Sequence, residues 1–418
     1  MESIKKQKDK NKGMFMKLSI FLGIVLHTTM IIYAQQPLKD WTFLVYIAGA
    51  NDLCDFVNTD LDEMMKVGSN EYANILAFVT HQEPGGEKTT KRYVVHKGYL
   101  EEDGELNAQD SGDSNTLYKA LAWALENYPS KYFALDLWNH GSGPLNRTYT
   151  MSHRGICYDD ETDNYLDDNK IREVVHDACN LYRGGQRLDI ISCDACLMAN
   201  VEIASAFASC AKYFVASQET IPGDGYAYER VLKKFEYGSL EPEAFARAMV
   251  EAYDNTYDAY TDYTLSIVNL SLIPLIQNNV TQLSDALIRA LRYEKTEQVL
   301  HVIKGSASSQ YCTHFAEETY IDMYQFYENL LKYLHVMNLS SFAHKAISNI
   351  LCEGLTLINA CVLENVHSAT RNTVRGLSIY FPELEYGIET SYYDCYWTKN
   401  TAWAVFLEEC IRMNTSEA

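Results

Sequence analysis

The chain has 418 residues, of which 47% are hydrophobic and 22% charged, and a formal net charge of −21. That composition excludes intrinsic disorder, and the length suits one large α/β domain with decorations or two small domains. A surface this acidic repels nucleic acid and anionic membranes, and draws in cationic substrates from a distance.

Residues 1–34 stand apart. Lys5, Lys6, Lys8, Lys10, Lys12 and Lys17 form a basic start. Leu18–Tyr33 is apolar except for Ser19, His27, Thr28 and Thr29, and Ala34 precedes Gln35 and Gln36. The pattern predicts a secretory signal peptide cleaved near Ala34, hence a secreted or periplasmic protein made of one domain over 35–418. The apolar run is shorter than the ~20 residues that span a bilayer. No later segment is long and apolar enough to do so, so no stable membrane insertion is expected after cleavage. Removing the leader's net +4 leaves −25 on the remainder. The 11 cysteines are an odd number, which in an exported chain points to a reactive thiol. Most of them lie in apolar stretches and read as small core residues.

Trp41–Gly49 is a near-continuous apolar run of the kind a doubly covered parallel strand requires. A helix is predicted over Phe56–Val67. Strands follow at Ile75–Thr80 and, shorter and edge-like, Arg92–His96. Thr116–Tyr128 has helical periodicity, with Ser114 or Asn115 as N-cap. Tyr132–Trp138 is a third core strand. Residues 141–167 read as loop, Asp168–Tyr182 as helix and Leu188–Ser192 as strand, with a helix starting at Leu197. Tyr213–Ser217 and Thr264–Leu270 add strands. Long helices are predicted near Leu272–Tyr293, Thr319–Val336 and Ser340–Leu363, and a last strand at Gly376–Phe381 stops at Pro382. The alternation predicts an α/β fold: a mostly parallel sheet sandwiched by helices, with a helical C-terminal part over about 272–418.

Open α/β sheets place ligands at the carboxyl ends of their strands, and two strand ends here carry reactive groups. Leu135-Asp-Leu-Trp-Asn-His140-Gly-Ser-Gly143 sets a histidine before Gly-x-Gly, whose bare backbone offers free N–H donors. Asp189-Ile-Ile-Ser-Cys-Asp-Ala-Cys196-Leu-Met-Ala199 sets a cysteine where strand passes to helix, a place that favours a thiolate. A thiol with a neighbouring imidazole is an activated nucleophile. His140 lies 56 residues before Cys196, close to the order and spacing of caspase-type sites. The plainer alternatives are a strand-end turn and a buried core cysteine.

These segments resemble the clostripain family of caspase-like cysteine peptidases. The matching stretches are W-T-F-L-V-Y-I-A-G-A-N-D-L at 41–53, L-A-W-A-L-E-N-Y-P at 121–129, L-D-L-W-N-H-G-S-G at 135–143, D-A-C-L-M-A-N at 194–200, A-S-Q-E-T-I-P-G-D-G at 216–225 and G-L-S-I-Y-F-P at 376–382. Pro144 and Cys193 depart from the residues usual there. The resemblance implies a caspase-like fold, Cys196 as nucleophile and His140 as base, and an oxyanion hole from the N–H groups of Gly141 and Cys196. It further implies cleavage after Arg or Lys of protein and peptide substrates, with Asp194 and Asp224 as acids of the S1 pocket. A buried carboxylate discriminates well, since leaving it unpaired is costly. Asp194 also reads as a helix N-cap, and Asp224 as the residue a P-G-D-G turn prefers.

The family also implies maturation by self-cleavage between His and Cys. Gly141–Asn169 is the most loop-like stretch there, and its basic residues are Arg147 and Arg154. Arg154 is the expected cut, because Gly155 follows it and a strand-like Ile156–Tyr158 comes next; an intact loop is the alternative. No cofactor is required by this chemistry. The acidic run Asp159, Asp160, Glu161, Asp163, Asp167, Asp168 lacks the EF-hand spacing, although the resemblance keeps Ca²⁺ in view. Two other functions compete. Cys193-x-x-Cys196 is a thiol–disulfide oxidoreductase motif, set late in a chain far larger than that class needs. An inactive relative acting as a binding protein is the other, and both dyad residues being present argues against it.

Overall fold

The apolar run at Trp41–Gly49 is buried on both sides. In β1 (Lys39–Gly49), Phe43, Val45 and Ile47 face one core while Leu44, Tyr46 and Ala48 face another. The computed structural model describes residues 38–145, 155–257, 261–294 and 296–417. The proposed leader and its cleavage site, Arg147 and Arg154 lie outside the described residues. Residues 39–418 form one compact unit.

Its centre is a nine-stranded sheet. The strands after β1 are β2 (Ala73–His81), β3 (Thr89–His96), β4 (Tyr99–Glu102), β5 (Ser130–Trp138), β6 (Ile156–Asp159), β7 (Asn164–Leu166), β8 (Leu188–Asp194), β9 (Ala211–Ala216), β10 (Thr264–Asn269), β11 (Tyr320–Asp322), β12 (Val362–His367) and β13 (Ser378–Tyr380). The sheet order is β12-β10-β9-β8-β5-β1-β2-β3-β4. Its five middle strands are parallel. The two strands added at each edge are antiparallel. The parallel strands are covered by helices on both faces, as parallel sheets require.

Helices cover both faces. On one lie α1 (Cys54–Met65), α5 (Tyr228–Leu232) and α6 (Pro242–Asp254). The other carries α2 (Ser114–Asn127), α3 (Asp168–Tyr182), α4 (Val201–Phe207) and the C-terminal helices α7 (Ile273–Tyr293), α8 (Thr296–Ala307), α9 (Met323–Tyr333), α10 (Ser341–Cys361), α11 (Tyr396–Asn400) and α12 (Trp403–Glu417).

Five sequence expectations change. Asp113 caps α2, its carboxylate accepting the Asn115 N–H at 3.0 Å, in place of Ser114 or Asn115. The stretch read as loop holds the β6–β7 hairpin. The helix expected from Thr319 opens with β11, which pairs with β13 in a small separate sheet. The chain leaving α10 becomes β12 and returns to the main sheet beside β10. Finally, no helix starts at Leu197: α4 begins at Val201. Among the described residues no helix is long and apolar enough to cross a membrane.

Candidate active site

The parallel register of β5 and β8 sets the two candidate residues side by side. Trp138 pairs with Asp194, so His140 and Cys196 each lie two residues beyond matched strand ends. The loops then converge. Asn139 donates its N–H to the Asp194 carbonyl at 3.2 Å. A Cβ on Gly141 would fall 2.4 Å from the Cys196 carbonyl oxygen, so only glycine permits this approach. Two amides fasten the His140 loop. Asn139 Nδ2 donates to the Ala48 carbonyl at 2.6 Å while its Oδ1 accepts the Tyr158 N–H at 2.9 Å. Asn51 Nδ2 donates to the carbonyls of Ala48 and Tyr158.

Cys196 sits in a turn. Leu197, with φ of 61°, takes the left-handed backbone, which costs a non-glycine residue about 1 kcal/mol. Its N–H donates to the Glu219 carbonyl at 3.0 Å, and its carbonyl accepts Asn200 Nδ2 at 2.6 Å. These bonds hold the turn, and they leave Cys196 four residues short of the helix. The helix dipole expected to favour a thiolate is therefore absent. Burial pushes the Cys196 thiol up to about 11, eased by the Ile221 N–H that reaches Sγ at 3.3 Å. Cys196 therefore rests as a thiol, which donates to the Ile221 carbonyl at 3.9 Å. Among the described residues, neither the Gly141 nor the Cys196 N–H donates to a backbone carbonyl.

His140 is held by a residue whose role sequence reasoning missed. Asp52, from the loop after β1, places Oδ1 2.6 Å from Nε2. The clue was its position at the end of a neighbouring strand, within the A-N-D-L stretch.

Asp194, the last residue of β8, is no helix cap. It is 5% exposed, and its Oδ2 accepts the Tyr226 N–H at 2.9 Å and the Tyr228 hydroxyl at 3.1 Å. Gly225 packs so tightly that a Cβ there would lie 2.7 Å from that oxygen. Asp224 is exposed in the adjoining turn, closed by the Gly225 N–H donating to the Pro222 carbonyl at 2.9 Å. Two further buried acids share the Asp194 face of the sheet. Asp136 accepts the hydroxyls of Ser192 and Tyr228, and Asp60 on α1 accepts Trp138 Nε1 at 2.6 Å. Burial raises the carboxyls of Asp136 and Asp194, and the Asp136 charge raises Asp194 further.

Burial, then the Asp194 charge, pushes Asp60 up to about 9. The folded protein thus binds a proton at Asp60 that the unfolded chain has released, so stability falls as pH rises from about 4 towards 9. The melting temperature of Asp60→Asn is therefore expected to depend less steeply on pH over that window than that of the parent. Equal slopes in thermal melts between pH 5 and 9 would contradict it.

Cys193 points the other way. It is fully buried in the core on the opposite sheet face from Asp194, and burial pushes its thiol well up. All eleven cysteines are free thiols; Cys352 is exposed, Cys196 is half-buried and the rest are buried. Several acids of the run are engaged within the fold. Asp159 binds Lys88 Nζ and the Ser111 N–H and hydroxyl. Asp167 caps α3, and Asp168 accepts the Tyr396 N–H. Among the described residues no group of three or more His, Cys, Asp or Glu is placed to hold a metal ion.

Known proteins share this arrangement of elements. A secreted C11 cysteine protease from Bacteroides thetaiotaomicron, solved with an irreversible peptide inhibitor, is 20% identical with a TM-score of 0.60, covering 88% of this chain and 99% of that one. An inactive zymogen C11 protease from Parabacteroides distasonis is 18% identical with a TM-score of 0.60, covering 87% and 98%. At these identities the likeness establishes the fold, that of the C11 proteases. Clostripain of Hathewaya histolytica is 22% identical over 323 residues, which cover 67% of this chain and 59% of that protein, so the chain spans about three-fifths of that relative's length. The sequence pattern of the clostripain family matches residues 45–410, and the chain belongs to that family of cysteine peptidases.

Proposed function

We propose that the protein is a cysteine endopeptidase cutting after Arg or Lys, with Cys196 as nucleophile and His140 as base. The observation that carries this reading is the Trp138–Asp194 register, which aligns His140 with Cys196 at adjacent strand ends. With Nε2–H donated to the Asp52 carboxylate, Nδ1 of His140 is the nitrogen holding the lone pair. It takes the Cys196 proton as Sγ attacks the scissile carbonyl carbon. The oxyanion that forms is received by the N–H groups of Gly141 and Cys196. The imidazolium then protonates the leaving amine, and water, deprotonated by His140, releases the acyl group from Sγ. Asp194, with Asp224 at the rim, receives the basic side chain before the cut. Purified mature protein should hydrolyse fluorogenic peptides with Arg or Lys before the reporter, and leave those with Asp, Leu or Phe nearly untouched. Loss of that ranking would remove the specificity, and no hydrolysis would favour an inactive binding relative.

A thiol–disulfide function is poorly supported, because Cys193 lies buried in the core on the sheet face opposite Asp194. Export through the N-terminal leader, and protein or peptide substrates outside the cytoplasm, complete the reading.

Activation is proposed to follow cleavage after Arg154. Gly155, the first residue beyond, is buried, and its carbonyl accepts the Ser142 N–H at 3.0 Å. Ile156 and Cys157 behind it are core residues. A fragment starting at Gly155 is therefore anchored and stays with the N-terminal piece. Expressed as wild type, the chain should yield two associated fragments with a new N-terminus at Gly155, while Cys196→Ala stays whole. An uncut and fully active wild type overturns self-processing, and a new N-terminus elsewhere overturns only the choice of Arg154.

A further inference from the structure

We infer that Asp60 is a second carboxylate for the P1 cation, closing on a substrate guanidinium from the side opposite Asp194. This rests on the reading of Asp194 as the S1 acid. Trp138 and Asp194 are register partners on adjacent parallel strands, so their side chains leave the sheet on the same face. Helix α1 packs over that face, and Trp138 Nε1 donates to Asp60 Oδ2 at 2.6 Å. The indole thus sets the position of a carboxylate from a different element beside Asp194.

The two acids are buried yet unfinished. Asp60 is 4% exposed and Asp194 5%. Each uses Oδ2 for its hydrogen bonds, and among the described residues neither Oδ1 has a partner. No lysine, arginine or histidine among the described residues pairs with either carboxylate. Asp136 differs: Ser192 occupies one of its oxygens and Tyr228 the other, so it is satisfied within the fold. Without a cation Asp60 keeps the proton that burial favours, and a ligand cation entering beside it releases that proton and leaves a paired carboxylate. Arginine suits two carboxylates on separate elements, because its planar guanidinium presents five N–H donors in a fork. An ammonium is a compact point charge and serves one acid well. The expected preference is therefore Arg over Lys.

The test compares Asp60→Asn and Asp194→Asn on peptides with Arg, Lys or citrulline at P1, citrulline being the uncharged isostere of Arg. Asp60→Asn should lower kcat/KM on the Arg peptide about 10- to 100-fold, the scale of one hydrogen bond between charged groups. It should lower the Lys peptide less and leave the citrulline peptide within about 3-fold, well inside that scale. An equal fall on all three peptides, or no fall, overturns the role of Asp60. If instead Asp194→Asn keeps the full preference for Arg over citrulline, the S1 reading itself fails. Should Asp60→Asn not fold, Asp60→Glu keeps the charge but displaces it; a reduced Arg/Lys ratio supports the proposal, and an unchanged ratio overturns it.

Discussion

Cys196→Ala is expected to reduce peptide hydrolysis at least ~10⁴-fold, because the reaction loses the only atom able to hold the acyl group. His140→Ala should be about as damaging. The Cys196 thiol is held protonated by burial, with the Ile221 N–H reaching Sγ at 3.3 Å and the Ile221 carbonyl accepting from it at 3.9 Å, so the imidazole is the base the reaction needs to take its proton. The double variant should be little worse than either single one, since the two act as a unit. Cys193→Ser, changing a thiol that faces the opposite core, should retain most of the activity provided the protein folds. The measurement is kcat/KM on one Arg peptide for the parent and the four variants, with circular dichroism to confirm folding. Equal loss from Cys193→Ser and Cys196→Ala would sink the dyad and restore the redox reading.

Asp194→Ala is expected to lower kcat/KM for Arg and Lys peptides at least ~100-fold, the scale of a lost buried ionic contact. The variant also strips acceptors from the Tyr226 N–H and the Tyr228 hydroxyl, so part of the loss would be a displaced 225–228 segment. Asp194→Asn separates the two, since its carbonyl oxygen still accepts those bonds while the charge is gone. A folded Asp194→Asn enzyme with undiminished preference for basic residues would show that the P1 cation is held elsewhere. Asp224 is exposed, and Asp224→Asn should have a smaller effect, because solvent screens a charge at the rim.

The long apolar runs at β1, β5 and β8 were legible because a parallel strand covered on both faces must be apolar throughout. With the strands located, His140 and Cys196 fell at their carboxyl ends, where such sheets bind ligands. The short elements were not legible. β4, β7 and β11 span three or four residues each, too few for any periodicity to emerge, while β6 showed only as a strand-like Ile156–Tyr158. β12 is half-buried at every position and shows no contrast between its faces. The start of α4 was misplaced by four residues because Leu197 gives no outward sign of a left-handed backbone; only the bonds from Glu219 and Asn200 hold it there.

By itself the sequence determined that this is an acidic α/β chain carrying a thiol and an imidazole at strand ends, since composition and hydrophobic periodicity are local properties. The partners of those groups were decided by the tertiary structure alone. Asp52 meets His140 across 88 positions and Asp60 meets Trp138 across 78. Both contacts exist only because β1, with α1 following it, lies beside β5 in the sheet. Sheet order is set by how all the buried faces are covered at once, and no local pattern of residues encodes it.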